Sequence, residues 1–236
     1  PVKIGLGINR RAAKKLLNFG IPFQVNSILA LAKDRLVPLV VARMVGPIGI
    51  GYITWAQALA FLPLEIMNIV NRITFPAFSR LQSDNESLAK ATEKSLFATS
   101  LIAYPALFGL GALLPSIIDH VVSAKWQPAL TSYYLFAVSS FWAVISTTFT
   151  NVLNATGQIR TTLKLMIMWT ILTWILTPLL VLQFGFIGVA LASFIISFTS
   201  LITIILVKRS LQVNVLNSIS LPVVASAAMA ASVFLF

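Results

Sequence analysis

The sequence predicts an all-α, polytopic transmembrane helical bundle, and three observations predict it. Of 236 residues, 58% are hydrophobic and only 10% are charged, with a mean hydropathy of +0.93. A soluble domain carries roughly 25% charged and 45–50% apolar residues, so this chain is far too poor in charge for a water-facing surface. The apolar residues gather into runs of about 20 or more, the length that spans a bilayer as a helix. Of the 17 Lys and Arg, 12 collect in alternate gaps between those runs, the pattern of loops on one side of a membrane.

Six complete runs, 16–45, 51–78, 96–118, 129–154, 161–183 and 186–207, precede the start of a seventh at 219–236. The runs are long and do not alternate. Backbone groups in lipid must be satisfied internally, so each run is a helix and not a strand. The organisation expected is a basic segment at 1–15, a six-helix lobe at 16–209 with a long loop at 79–95, and a linker with the start of a further helix at 210–236. The chain opens on Pro1 without a signal peptide and closes inside an apolar run, so we expect a piece of a longer protein. Only tight turns fit at 46–49 and 184–185, which pairs the helices on either side of each as antiparallel neighbours. In the long loop Leu81, Leu88 and Leu96 recur about every two turns; a short interfacial helix and a solvated connector both fit. Pro22, Pro38, Pro63, Pro76, Pro105, Pro115 and Pro178 fall inside spans and permit kinks. Gly188 with Ala192, and Ala227 with Ala231, have the small-xxx-small spacing of closely packed helices.

Charge sets the orientation. Lys3, Arg10, Arg11, Lys14, Lys15, Arg80, Lys90, Lys94, Arg160, Lys164, Lys208 and Arg209 fall on one side, and Lys125 alone on the other. The basic side is expected to be cytoplasmic, with the N-terminus. Tyr52, Trp55, Trp126, Tyr133 and Tyr134 then form an aromatic belt at the outer interface. A net charge of +11 could point to nucleic acid, but basic residues scattered in short gaps do not make a binding face, and no nucleic-acid partner is expected. With no cysteine, thiolate chemistry and disulfides are excluded. His120, the single histidine, has no other ligand residues near it and reads as a surface residue; no metal or cofactor is expected.

The informative residues are those that lipid rejects. A charged side chain at mid-bilayer costs about 2.5–3.5 kcal/mol on insertion scales. The first span carries Lys33, Asp34 and Arg35, two turns beyond Asn26 and Ser27. In the second span Thr54, Gln57, Glu65, Asn68 and Arg72 share one helical face, with Phe61 filling the gap. The fourth span offers an uncharged stripe of Ser140, Thr147, Asn151 and Asn154. The third, fifth and sixth spans are nearly apolar at their centres. The first, second and fourth spans are therefore expected to border a hydrated cavity or a polar interface that a partner half completes. Two readings of the charges stay open. In one, Lys33, Arg35 and Arg72, with Asn68 and Gln57, bind an anionic substrate group, since arginine suits phosphate through its bidentate fork. Asp34 and Glu65 then hold a coupling proton or sodium ion. In the other, Lys33 or Arg35 simply pairs with Glu65.

Several motifs resemble those of a known family. Phe75-Pro-Ala-Phe-Ser-Arg-Leu-Gln82 before a charged loop, Lys125-Trp-Gln-Pro-Ala129, Asn154-Ala-Thr-Gly-Gln158 and Phe184-Gly-Phe-Ile-Gly-Val-Ala-Leu-Ala192 are similar to segments of the polysaccharide and O-antigen flippases. Leu17-Asn-Phe-Gly-Ile-Pro22 and Gly46-Pro-Ile-Gly-Ile-Gly-Tyr52 resemble the start of that family's second half. The family belongs to the multidrug/oligosaccharidyl-lipid/polysaccharide exporter superfamily. The resemblance implies one six-helix lobe of a two-lobe, alternating-access transporter, plus part of a seventh helix. It implies an undecaprenyl-pyrophosphate-linked oligosaccharide as cargo and the bacterial cytoplasmic membrane as location. The partners expected are the bilayer, the missing N-terminal lobe, a glycan polymerase and glycosyltransferases. No enzymatic activity is expected. The competing expectations are a multidrug or cation extruder of the same superfamily, a membrane enzyme of glycan assembly, and a purely structural assembly subunit.

Overall fold

The structure is a computed structural model. It describes residues 10–233, and the side chains in that range other than those at 11, 12, 15, 18, 19 and 34–36. All its regular elements are helices, in the order α1 (Arg10–Arg80), α2 (Asn85–Ile117), α3 (Ala129–Ala155), α4 (Ile159–Phe184), α5 (Ile187–Ser197), α6 (Ser200–Lys208) and α7 (Val215–Val233). A π-helical turn, Ile118–Val122, and a 3-10 turn, Ala124–Trp126, join α2 to α3.

With 71 residues, α1 would be about 107 Å long if straight, against a hydrocarbon core of about 30 Å. It breaks at Gly46, where φ is 70° and ψ is 178°, a conformation essentially confined to glycine. The break divides α1 into a first arm, 10–45, and a second, 47–80. Helix continues through every internal proline of α1, so the prolines tolerated in these spans do not end them. With α5 and α6 forming one crossing over Ile187–Lys208, the chain has the six spans and the start of a seventh that the apolar runs predict. This is a multi-pass membrane protein.

Three buried clusters order the crossings. At one end Ile53, Ala56 and Ala60 of the second arm meet Leu114 of α2, Tyr133 and Phe136 of α3, Val181 of α4 and Val189 of α5. At the other end Phe78, Leu88, Leu96, Phe149, Val152, Leu165, Val207 and Val215 pack together. Between them lie Met67, Ala103, Tyr104, Leu107 and Val144. Each helix thus enters at one end and leaves at the other, and successive crossings alternate in direction. Val37 and Val41 of the first arm join the same cluster as Ala60. A straight helix would hold Val37 and Ala60 about 34 Å apart, so the bend at Gly46 brings the arms together.

The two ends differ chemically. At the Ile53 end Trp126 stacks on Trp55 at 5.1 Å and meets Tyr52 edge-on at 6.1 Å, while Tyr52 leans on Phe186 at 5.2 Å. Three residues of the expected belt, Tyr52, Trp55 and Trp126, therefore form one packed group with Phe186, whereas Tyr133 and Tyr134 contact each other. Arg80, Lys90, Lys94, Arg160, Lys164, Lys208 and Arg209 flank the cluster at the opposite, basic end, and all are exposed.

Three local expectations change. The loop expected over 79–95 shrinks to 81–84, because Asp84 caps α2 by accepting from the amides of Glu86 (3.1 Å) and Ser87 (3.2 Å); the helix then starts about three turns earlier. The sixth span is broken at 198–199, where the hydroxyls of Ser197 and Thr199 donate to the carbonyls of Phe194 and Ile196 and compete with the helix ladder. Ala227 and Ala231 are exposed and make no close packing surface; α7 instead touches α2 where Met229 approaches Gly109, and its N-terminus is held where the Glu93 carboxylate accepts from the Asn214 amide at 2.7 Å.

Gly188 behaves as its spacing predicts. A Cβ there would overlap the Leu180 carbonyl and the Val181 nitrogen, so α4 and α5 approach closely only because this position has no side chain. Gly188→Ala should destabilise the protein by about 1–3 kcal/mol, read as a lower thermal unfolding midpoint in detergent. An unchanged midpoint would show that the α4–α5 contact is not as close as described.

Candidate functional site

The second arm of α1 has two faces. At 3.6 residues per turn, Ile53, Ala56, Ala60, Met67 and Phe78 lie on one side, and all are buried. Thr54, Gln57, Phe61, Glu65, Asn68 and Arg72 lie on the other; Gln57 and Phe61 are half-buried and the rest exposed.

Hydrogen bonds to α3 hold this rotation. The Ser140 hydroxyl donates to the Ala60 carbonyl at 2.7 Å, and the Asn151 amide donates to the Thr74 hydroxyl at 2.9 Å. The two bonds join residues 80 and 77 apart, so the arm and α3 run parallel. In the same α3 stripe Asn154 accepts from the Thr162 hydroxyl of α4 at 2.6 Å. The uncharged stripe of the fourth span is thus a polar interface between helices, not a cavity wall. Asn71 is half-buried, and its side-chain oxygen is buried without a hydrogen-bond partner among the described residues; being uncharged, it gives little signal in the sequence.

On the outward face the predicted residues do not all gather. Thr54, Gln57 and Glu65, with Ala58, Phe61 and Leu62, line one cleft of about 360 Å³. Asn68 joins the group by donating to Glu65 Oε2 at 3.3 Å. Arg72 lies two turns further toward the basic end. It is exposed and makes no hydrogen bond or ion pair among the described residues. Lys33 is half-buried on the first arm and does not line the cleft. The side chains of Asp34 and Arg35 lie outside the described residues. No ion pair to Glu65 forms among the described residues, and the alternative pairing with Arg35 falls on a side chain outside them. Around these polar groups Leu62, Ile66, Ile69 and Ile73 are exposed. The result is a polar seam set in an otherwise apolar wall, which lies against either lipid or another part of the protein. His120 is exposed near the aromatic end, its Nδ1 donating to the Ser116 carbonyl at 3.0 Å.

A second cavity, also about 360 Å³, lies between α2, α3 and α7, lined by Leu107, Phe108, Tyr133, Tyr134, Phe141 and Ala230 among others. The hydroxyls of Tyr133 and Tyr134 are turned away to the carbonyls of Leu107 and Gly111, each at 3.0 Å, leaving the walls apolar. No sequence signal marks this cavity, since its lining is shared among three helices.

The family described as polysaccharide biosynthesis protein matches residues 1–131, more than half of the chain and including the whole seam. The chain belongs to that family. Among curated proteins, the lipopolysaccharide biosynthesis protein WzxC of Escherichia coli (strain K12) is 27% identical over 169 residues, 71% of this chain and 34% of that protein. An uncharacterized membrane protein in the cps region of Klebsiella pneumoniae is 27% identical over 155 residues, 65% of this chain and 32% of that protein. The teichuronic acid biosynthesis protein TuaB of Bacillus subtilis (strain 168) is 26% identical over 150 residues, 63% of this chain and 31% of that protein. The chain spans about a third of the length of these relatives. No solved structure matches it significantly. The motif resemblance to polysaccharide flippases agrees with these polysaccharide-related relatives.

In this member of the polysaccharide biosynthesis family, the Asn151–Thr74 bond should be measurable by a double-mutant cycle. Asn151→Ala and Thr74→Ala should couple by about 0.6 kcal/mol, the average for hydrogen bonds between membrane helices. Strictly additive unfolding energies would show that the two side chains do not meet.

Proposed function

We propose that this chain is one lobe, over residues 16–209, of a flippase that carries an undecaprenyl-pyrophosphate-linked oligosaccharide from the inner to the outer leaflet of the bacterial cytoplasmic membrane. The single observation that supports this most is the polar seam on the outward face of the second arm of α1, charged at Glu65 and Arg72 yet set among exposed isoleucines and leucines. Charge at bilayer depth is tolerated where it faces water or a partner. In the proposed arrangement a second lobe covers this face, the two lobes enclose a hydrated cavity, and rocking between them alternates access. Cargo needs no covalent change, so the reading is transport and not catalysis.

Roles follow from charge. Arg72, aided by Lys33 and Arg35, holds the pyrophosphate, for which a guanidinium offers paired donors. Asn68 and Gln57 hydrogen-bond neighbouring polar parts of the cargo. Asp34 and Glu65 are carboxylates available to a coupling proton or sodium ion. The basic end of the bundle faces the cytoplasm, where glycosyltransferases build the cargo, and a glycan polymerase receives it on the other side.

Two measurements test this reading. Arg72→Glu in the full-length protein should lower glycan export by about tenfold or more, a change of at least roughly 1.4 kcal/mol, with the protein still present in the membrane. Export at the parental level would overturn the role of Arg72. In a cysteine-free full-length background, Ser123→Cys should react with a membrane-impermeant maleimide in intact cells and Ser83→Cys only after permeabilisation. The reverse pattern would invert the orientation.

A further inference from the structure

The cleft at Gln57, Phe61 and Glu65 differs chemically from the surroundings of Arg72. Among the described residues no basic side chain lines it, so those residues do not suit a phosphate. Its hydrogen-bonding groups are largely unused. Gln57 makes no hydrogen bond among the described residues, leaving two amide donors and a carbonyl acceptor. Glu65 Oε2 accepts from Asn68, which leaves Oε1 free. The Thr54 hydroxyl donates to the Ile50 carbonyl at 2.8 Å, so it offers the cleft its lone pairs only. Phe61 presents a ring held in place edge-on by Phe136, with centroids 5.6 Å apart and planes at 72°. The volume, about 360 Å³, sits at the lower end of small-ligand sites, roughly 300–1,000 Å³, and far exceeds the needs of a bare ion.

An amide with both donors and acceptor free, a carboxylate oxygen and a fixed ring make a definite combination. It matches a molecule with adjacent hydroxyls, each both donor and acceptor, and a face of C–H groups. A pyranose ring has that form. The single negative charge at Glu65 disfavours an acidic sugar, which would bring a second carboxylate into the cleft. We infer that the Gln57–Phe61–Glu65 cleft is a subsite for one uncharged pyranose ring of the cargo's glycan, separate from the anion site at Arg72. Glu65 and Arg72 are seven residues apart on one helix, about 10 Å along its axis, so one glycan-pyrophosphate can reach both. The six described lining residues belong to α1, and in the proposed arrangement the opposite wall comes from the second lobe. The inference rests on the flippase reading for its cargo, and it assigns the part of the cargo that this helix selects.

The test uses the full-length protein in nanodiscs and saturation-transfer NMR with methyl α-D-glucopyranoside, methyl α-D-galactopyranoside and methyl N-acetyl-α-D-glucosaminide, each at about 10 mM, a range suited to weak single-ring binding. The charged comparison is methyl α-D-glucuronoside. The unmodified protein should transfer saturation to at least one neutral glycoside about fivefold more strongly than to the glucuronoside. Gln57→Leu and Phe61→Leu should each reduce the neutral signal about fivefold. Glu65→Gln, which keeps one acceptor oxygen and removes the charge, should lower the neutral signal less than Gln57→Leu does and abolish the preference against the glucuronoside, which a merely structural role for Glu65 would not do. Absence of transfer to every neutral glycoside, or neutral transfer that survives both the Gln57 and the Phe61 changes, overturns the subsite. Inorganic pyrophosphate is measured in parallel by phosphorus line broadening. Its loss in Arg72→Gln with glycoside transfer intact is the expected split; pyrophosphate broadening that Arg72→Gln leaves unchanged sinks the anion role of the flippase reading and leaves the sugar result standing.

Discussion

The structure depends on how the second arm of α1 is rotated about its own axis. In lipid a helix satisfies its own backbone, so side chains alone make one face differ from another. On this arm Ala56, Ala60 and Met67 are buried, small or slender enough for α3 to lie close. Ser140 and Asn151 then reach across to Ala60 and Thr74. Turning the arm by one residue, about 100°, would break both bonds and drive Glu65 or Arg72 toward Phe136 and Val144, where an unpaired charge has neither water nor partner. The outward position of the seam is therefore a consequence of what faces inward.

The same alternation of faces is repeated at the level of the bundle. Every crossing contributes residues to the cluster at the aromatic end or at the basic end, and the second arm, α2 and α3 also meet in the middle, where Tyr104 stacks on Phe141 at 4.5 Å. Aromatic side chains tolerate an apolar and a polar environment on their two ends, which suits Tyr52, Trp55 and Trp126 to an interface. Lysines and arginines beside Phe78, Leu88 and Val207 can keep their stems in hydrocarbon and their charges in water. The seam runs between these two ends along one helix, so a polar path lies beside a packed apolar core without entering it.

Much of this was legible in the sequence because lipid imposes simple rules. Length and composition give the spans, and Lys and Arg counts give the basic end. The turn at 46–49 follows from its glycines, and the structure places the decisive conformation at Gly46. What was not legible depended on tertiary partners. The break between α5 and α6 involves Thr199, whose hydroxyl also accepts from Trp169 of α4 at 2.8 Å; the hydroxyls at 197 and 199 alone, common in apolar spans, do not announce it. The early start of α2 turned on one capping carboxylate inside a polar segment. The stripe on α3 had the same periodicity as that on α1, yet one faces a neighbouring helix and the other faces out. Periodicity says which residues share a face, not what the face meets. Charge separates the two cases here: Ser140 and Asn151 can be satisfied by one partner across a helix interface, whereas Glu65 and Arg72 cannot be packed there without a countercharge. The division of the seam into a cleft at Glu65 and an open stretch at Arg72 also escapes the sequence, because it depends on how Phe61 and Leu62 stand out from the helix.

A seam on the outside of a well-packed bundle bears directly on mechanism. A site enclosed within these six crossings could change its access only by disrupting the three clusters that hold them together, and close-packed cores deform poorly. A site with one wall on this lobe and the other elsewhere has no such restriction. Moving two rigid walls apart at one end and together at the other exposes the same residues to either side, while each wall keeps its own hydrogen bonds. The chain spans about a third of its relatives' length, and in the proposed arrangement the second wall lies outside it. In the proposed mechanism the rigidity of the α1–α3 contact and the mobility of the cargo site are thus two aspects of one arrangement: the bonds at Ser140 and Asn151 keep the seam in shape so that the motion can take place entirely on its open side.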